Sequence, residues 1–445
     1  MTGIDILTLE VGSTMTKANG FVRTPQDTLL HVAQGFSPTT VLEGDVSVGV
    51  EGAIAALEQS SGRNATNAEI FVNSSAAGGL KMSVHGLTLS MTARAAKEAS
   101  LGAGAIIRKL TAGPIHAFDL EELHEIHPNL ILLAGGVDFG DTSTVLANAE
   151  KLMSLDLHIP IIYAGNSALQ RAIKAMADNA GRELWIADNV FPAVDTLNVV
   201  PLRKLIHDAF AKHIIHAPGM QKLRKYTSEH VLPTPGAVLL ATQLFAQTAG
   251  DTVVFDVGGA TTDVHSVTDG SKEYSDHLIE PEPREKRTVE GDLGVYVNAR
   301  HVLALDPNGT WRDREEFLRA VPNSTEEQAL TRWLCETAVL QAAKRHAGTL
   351  NELYTASGKT RVVRGKDLTA IRWIVGTGGA LTRLEGGEEI LSKIRLGPGT
   401  HLLPRESARI ILDKNYLFSA LGTIAQKHEN LVERTLKELI PGDAP

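Results

Sequence analysis

Two segments of this chain repeat one another, and that repeat limits the fold more than any other feature. The first reads Glu10-Val11-Gly12-Ser13-Thr14-Met15-Thr16-Lys17 and the second Asp256-Val257-Gly258-Gly259-Ala260-Thr261-Thr262-Asp263. Both run acid, valine, glycine, two small residues, then a threonine and a charged residue. Each follows an apolar run of strand length, and each is followed at a distance by an apolar strand ending in a double glycine. Glu10 to Gly135 is 125 positions and Asp256 to Gly378 is 122. Agreement in type, order and spacing predicts a duplicated domain. Each copy would begin with a strand that turns sharply through small residues.

The rest of the chain fits an α/β protein. Strand-like runs at 4–11, 69–73, 130–134, 159–163, 184–187, 252–256 and 371–375 alternate with helical patterns at 46–59, 89–109 and 325–347. Such alternation implies parallel pairing with crossover helices. The 445 residues are 43% hydrophobic and 21% charged, enough to bury a large core without disulfides or a structural metal. Cys335 is the one cysteine, which excludes a disulfide framework and multi-cysteine metal sites. The net charge of −9 argues against nonspecific nucleic-acid binding, which needs a basic surface. No apolar run approaches a membrane span, and the N-terminus lacks the basic flank of a signal peptide. A cytoplasmic protein without nucleic-acid or membrane partners is the expectation, and a homo-oligomer is left open.

Proline and glycine punctuate 217–236, which reads as a linker. The expected boundaries are therefore 1–155, an insertion with its linker at 156–235, and 236–445. The charge-dense run 272–287 reads as a solvated loop or hairpin.

The chemistry these segments suit is triphosphate binding. Glycine-bearing turns let backbone N–H groups point at an anion. Gly12, Ser13 and Thr14 would form one such turn, and Gly258, Gly259, Thr261 and Thr262 the other. Glu10 and Asp256, at the strand ends, suit indirect binding of Mg²⁺, which favours oxygen ligands and keeps several waters. Lys17 would neutralise phosphate charge, and Asp263 would orient an attacking water. A third loop, Gly376-Thr377-Gly378-Gly379, joins a strand to a helix, as loops approaching adenosine or its α-phosphate do. Other nucleotide signatures are missing. Gly358-Lys359-Thr360 has Leu353 where a P-loop needs glycine, and Gly102-Ala103-Gly104 has Ile107 where a dinucleotide fingerprint needs its third.

Two phosphate turns and an adenosine loop in this order resemble the ATPase superfamily of actin, Hsp70 and sugar kinases. Four strings are similar to the MutL, or GlmL, family of proteins encoded beside adenosylcobalamin-dependent glutamate mutase. They are Ser74-Ser75-Ala76-Ala77-Gly78-Gly79-Leu80, Leu132-Leu133-Ala134-Gly135-Gly136-Val137-Asp138, the segment 256–267, and Arg287-Thr288-Val289-Glu290-Gly291-Asp292-Leu293-Gly294. The resemblance implies duplicated RNase-H-like, actin-like ATPase domains with an α/β insertion and ATP with Mg²⁺ in the cleft between them. It implies that Gly376, Gly378 and Gly379 line adenosine. It also implies that Glu290-Gly291-Asp292 begins a helix bordering the nucleotide, and that Leu417-Phe418-Ser419-Ala420-Leu421-Gly422 is a crossing helix that permits hinge motion. The sequence departs from the family pattern at Glu10, where aspartate is expected, and at Phe139, where glycine is common.

By that resemblance the output is slow ATP hydrolysis driving chaperone-like reactivation of an adenosylcobalamin-dependent mutase, with release of damaged cobalamin. A small-molecule kinase of the same fold and a non-hydrolysing nucleotide-binding scaffold are the alternatives. Other ligand-type residues carry less. Glu121-Glu122-Leu123-His124-Glu125-Ile126-His127 lacks zincin spacing and reads as a solvated helix. His213 and His216 share a helix face without a third ligand. Cys335 reads as a buried small hydrophobe. The sequons at Asn64 and Asn323 stand alone.

Overall fold

The structure is a computed structural model and describes residues 3–76, 80–214, 219–355, 358–395 and 399–440. It divides into two units, Met1–Ala237 with Gln426–Leu431, and Val238–Ala425 with Val432–Pro445.

The first unit opens with β1 (Ile6–Val11), β2 (Met15–Arg23) and β3 (Leu29–Pro38), an antiparallel meander. All six residues of β1 are buried, as expected of a central strand covered on both faces. Helix α1 (Val46–Ser61) follows, where the side chain of Asp45 accepts from the Ser47 amide and caps the helix. Its Val46, Val50, Ala53 and Leu57 face the core, at the helical spacing visible in the sequence. β4 (Glu69–Ser74) then pairs parallel to β1.

A second sheet is inserted after β4. It contains β5 (Lys81–Gly86), β6 (Ile106–Ala112), β7 (Leu130–Leu133), β8 (Ile161–Tyr163) and β9 (Leu184–Ile186), all parallel, in the order β6-β5-β7-β8-β9. The crossover helices are α2 (Arg94–Gly102), α3 (Ala117–Ile126), α4 (Ser143–Met153) and α5 (Gln170–Asn179), and α6 (Val200–Ile214) follows the last strand. Strand alternation sorts the side chains between the two faces. Leu130 and Leu132 pack with Ala95, Ala99, Leu202 and Ile206 of α2 and α6. Ile131 and Leu133 pack with Leu123, Val145, Leu152 and Ile173 of α3, α4 and α5. The chain then returns to the first sheet through β10 (Leu232–Pro233), parallel to β4. Thr234, the first residue of α7 (Thr234–Ala249), donates its hydroxyl to Asn73 Oδ1 at 2.7 Å.

The second unit repeats the first sheet. β11 (Thr252–Val257), β12 (Thr262–Val267) and β13 (Glu285–Glu290) form the meander. The hairpin of β14 (Thr349–Thr355) and β15 (Gly358–Arg364) stands apart, and β16 (Trp373–Thr377) and β17 (Arg409–Leu412) run parallel to β11. The two sheet orders, β3-β2-β1-β4-β10 and β13-β12-β11-β16-β17, are the same arrangement. The expected class, duplicated RNase-H-like domains of the actin-like type with an α/β insertion, is what these sheets form.

Several expectations need correction. The counterpart of β16 is β4, because both pair parallel with the first strand of their sheet. Gly135 and Gly136 follow β7 of the inserted sheet, so their spacing match to Gly378 and Gly379 does not reflect the duplication. The inserted sheet starts at Lys81, not at 156. The expected linker contains the 3-10 helix Gln221–Lys225 and the strand β10. Residues 89–109 are not one helix. A π-turn at Leu89–Ala93 and α2 end at Gly102, and Gly104 (φ +87°) turns the chain into β6. The charged run 272–287 ends in β13, where Lys286 and Arg287 are buried. Ala77, Gly78, Gly79, His216, Ala217 and Pro218 lie outside the described residues. His213 sits on α6, Cys335 is fully buried in the helix Thr325–His346, and residues 121–126 are helical in α3. Burial pushes the Cys335 thiol up, so it stays a thiol, as a packing residue would. Among the described residues, no helix is long and apolar enough to cross a membrane.

Candidate nucleotide site

The two hairpins close in the same way. The amide of Gly12 donates to Met15 O at 3.0 Å, and that of Gly258 to Thr261 O at 2.9 Å. The carbonyls around each turn are taken by neighbouring segments. In the first unit, Val11 O accepts from the amides of Ser75 and Ala76 and from the Ser74 hydroxyl, and Thr14 O accepts from Thr39. In the second, Gly259 O accepts from Tyr296 and Val297, and Asn298 Nδ2 bridges Ala260 O and Gly291 O at 2.8 Å each. Gly294 lets that bracing segment lie flat, since a Cβ there would stand 2.4 Å from Ala260 C. Among the described residues, the amides of Ser13 and Thr14 and of Gly259 and Ala260 donate to no acceptor. Successive unpaired N–H groups with their carbonyls turned away make an anion-binding concavity. The hydroxyl-bearing Ser13 and Thr14 are exposed.

The charged residues differ between the hairpins. Glu10 faces Lys17 across the first, and Lys17 Nζ lies 2.6 Å from Glu10 Oε1. Asp256 faces Asp263 across the second. Buried Arg287 compensates that pair of acids, placing Nη2 at 2.5 Å and Nε at 2.8 Å from Asp263 Oδ1. The Thr261 hydroxyl donates to Asp263 Oδ2 at 3.1 Å. Asp263 is thus held in place by two partners, and Asp256, half-buried at the end of β11, is the more exposed carboxylate of the two. Thr262 is fully buried and donates its hydroxyl to Leu293 O at 2.7 Å, so it braces the turn. Among the described residues no three His, Cys, Asp or Glu side chains gather as a metal site. A magnesium ion here would draw most of its ligands from phosphate and water, as that ion commonly does.

Glu290 ends β13 instead of starting a helix. Arg345 Nη1 reaches its Oε2 at 2.7 Å and grips Asp292 through Oδ1 at 2.6 Å, with Nη2 on Oδ2 at 2.8 Å. That hydrogen-bonded pairing holds the Asp292 carboxyl below its ordinary range.

The third loop separates into packing and surface. A Cβ on Gly376 would meet Leu391, Leu412 and Leu381 at 2.7, 3.0 and 3.3 Å, so this glycine serves the core rather than a ligand. Gly378 has φ +90°, and a Cβ there would lie 2.3 Å from Val257 O. Its bareness lets this loop abut the strand end that leads into the second turn. Gly379 is exposed, and its nearest neighbour would be Tyr416 Oη at 3.4 Å. Thr377 and the start of the helix Leu417–Glu438 share Asp413, which accepts from Thr377 Oγ1 and from the amides of Leu417 and Phe418. Sequence reasoning missed Arg287, Arg345, Asn298 and Asp413, all far along the chain from the turns they serve. Only Arg287 carried a signal, the alternating Arg-Thr-Val-Glu pattern of a strand.

The family model described as MutL protein matches residues 6–440. Protein MutL of Clostridium tetanomorphum is 34% identical over 460 aligned residues, covering 98% of this chain and 98% of that one. Among solved structures, nucleotide-free acetone carboxylase aligns over 96% of this chain and 70% of its own, with TM-score 0.41 and 13% identity. Nucleotide-free diol dehydratase-reactivating factor aligns over 95% and 100%, with TM-score 0.35 and 11% identity.

Proposed function

Because the chain belongs to the MutL protein family, we propose that it is an ATP-dependent reactivating factor for an adenosylcobalamin-dependent mutase of the glutamate mutase type. The observation that carries the nucleotide half of this reading is the pair of matching turns with unpaired amides. Each offers donors to a phosphate oxygen, and Ser13 and Thr14 add exposed hydroxyls. Asp256 would hold magnesium through its water shell, whereas Glu10, the other carboxylate expected to serve that ion, is paired to Lys17. That ion supplies neutralisation of phosphate charge. Gly379 is the part of the third loop left on the surface for adenosine.

The client half rests on the family and on energetics. An adenosylcobalamin enzyme that loses its adenosyl group keeps a tightly bound, inactive corrinoid. Releasing it needs free energy from outside, and hydrolysis supplies this only if the ATP and ADP forms bind the client differently.

The test is direct. Titration calorimetry of the full chain should show ATP binding that depends on Mg²⁺, and phosphate release should be slow but measurable. Addition of chain, ATP and fresh cofactor should restore a mutase inactivated by turnover. A folded protein that binds no nucleotide would falsify the first half. Nucleotide turnover without any mutase recovery would remove the second.

A further inference from the structure

The inserted sheet has the doubly wound order, with the strand sequence reversing between β5 and β7. Open parallel sheets of this kind present their binding crevice beyond the carboxyl ends of the strands, at that reversal. The loops leaving this edge are 87–93, 113–116, 134–142, 164–169 and 187–199. They contain no lysine and no arginine, in a chain with 43 of them. They contain Asp138, Asp141, Asp188 and Asp195.

Exposed apolar side chains concentrate on the same edge. Phe139 follows β7 and is 83% exposed, Leu89 follows β5 at 66%, and Val194 follows β9 at 63%. Phe118, at the start of α3 after β6, is also exposed, and its ring stacks on that of His116 with centroids 5.5 Å apart.

Phe139 is the decisive residue. Its φ is +63°, a left-handed conformation that is a genuine outlier for a bulky residue and that glycine adopts freely. The loop does not need its ring. Buried Asn166 shapes the turn by accepting the Phe139 amide at 2.9 Å and donating to Asp141 O at 3.3 Å. The fold therefore bears both backbone strain and an aromatic ring that is mostly in water. Strain of this kind is retained at functional positions.

The geometry points to the carboxyl edge of the inserted sheet as the docking face for the protein client, centred on Phe139. The complementary partner is a protein surface with an apolar pocket ringed by lysine or arginine. Four aspartates on loops that themselves carry no lysine or arginine disfavour phosphate-rich partners, whether nucleic acid or an anionic membrane. This inference rests on the reading that the client is a protein, and adds where it binds. Buried aromatic anchors dominate interfaces of this type, and surrounding charges set encounter rates.

Glycine at 139 removes the ring and relieves the strain, so it separates binding from folding. Calorimetry of the full chain with the mutase should show Phe139→Gly weakening the complex about tenfold or more. Its melting temperature should be unchanged or higher, and its ATP turnover without client unchanged. Asp188→Lys, an exposed charge reversal on the same edge, should slow association and flatten its salt dependence. A complex as tight with Phe139→Gly as with the parent chain overturns the docking face and leaves the client reading standing. Failure of the parent chain to bind the mutase at all overturns both.

Discussion

Arg287 is buried against Asp263, and it stands where it does because the second hairpin sets two carboxylates opposite each other. In the first hairpin, Lys17 occupies the position equivalent to Asp263 and neutralises Glu10 within the hairpin itself. The two copies solve the same electrostatic problem with different residues. In the second, the cation comes from the next strand, β13.

Replacing Arg287 with leucine leaves Asp263 buried without its partner. Urea unfolding should show a loss of about 3–5 kcal/mol, the usual cost of breaking a buried pair from one side. Arg287→Lys should recover only part of it, because lysine cannot reproduce the two-nitrogen approach. A loss below about 1 kcal/mol would show that Asp263 is stabilised by other groups.

Asp256→Ala tests the carboxylate at the strand end. ATP turnover should fall about 10²-fold or more, with little change in melting temperature, if that group supports the metal. Asp263→Asn should behave differently, losing stability along with activity, because Arg287 and Thr261 depend on it. Unchanged turnover in folded Asp256→Ala protein removes Asp256 from the site.

The adenosine loop needs a more selective probe than its buried glycines. Gly378→Val should fail for a structural reason, since any Cβ there meets Val257 O. Gly379→Ala has room and should fold normally. Weaker ATP binding by Gly379→Ala at an unchanged melting temperature would place the nucleotide against this loop. Unchanged affinity would remove it from the site.

For Glu10 the structure changes what to expect. Lys17 Nζ lies 2.6 Å from its Oε1, with both side chains largely covered. A double-mutant cycle of Glu10→Gln and Lys17→Met should give a coupling of about 1 kcal/mol by denaturation. No coupling, together with loss of Mg²⁺-dependent turnover in Glu10→Gln alone, would favour a metal role over a structural one.

Acid should destabilise the chain through its buried histidines. Burial, with Lys109 nearby, lowers the His85 pKa from 6.5 to about 4. The unfolded chain therefore takes up a proton between about pH 6.5 and 4 that the folded chain refuses. Stability present above pH 6.5 is lost as pH falls to about 4, by about 3 kcal/mol at most from this residue. His265 and His346, held well below their usual range by burial, act in the same direction. Urea midpoints at pH 7 and pH 5 should differ less for His85→Gln than for the parent chain. An equal midpoint difference in the two proteins would show that His85 does not carry the effect.

The local signals in the sequence were those that depend on short range. Acid-Val-Gly turns identified both hairpins, apolar runs identified the strands, and Val46, Val50, Ala53 and Leu57 identified α1. Where a residue's environment is set from far away, the sequence misled. Lys286 and Arg287 read as solvated because charge is normally exposed, and only pairing of β13 with β12 brings Asp263 to Arg287. Gly135 seemed to echo Gly378 because a glycine after a strand looks the same in any parallel sheet.

The sequence by itself determined that there are two related halves, each built on a strand that turns through small residues, because backbone conformation at such turns is a local property. It could not determine which later strand pairs with the first. That choice depends on hydrogen bonds between segments more than fifty residues apart, as when β4 pairs with β1 and β10 returns after the whole inserted sheet. Tertiary structure alone decided that Gly376 packs while Gly379 is exposed, that Lys17 neutralises Glu10, and that Phe139 stands in water on a left-handed turn. Each is a matter of what surrounds a residue, and those surroundings come from distant parts of the chain.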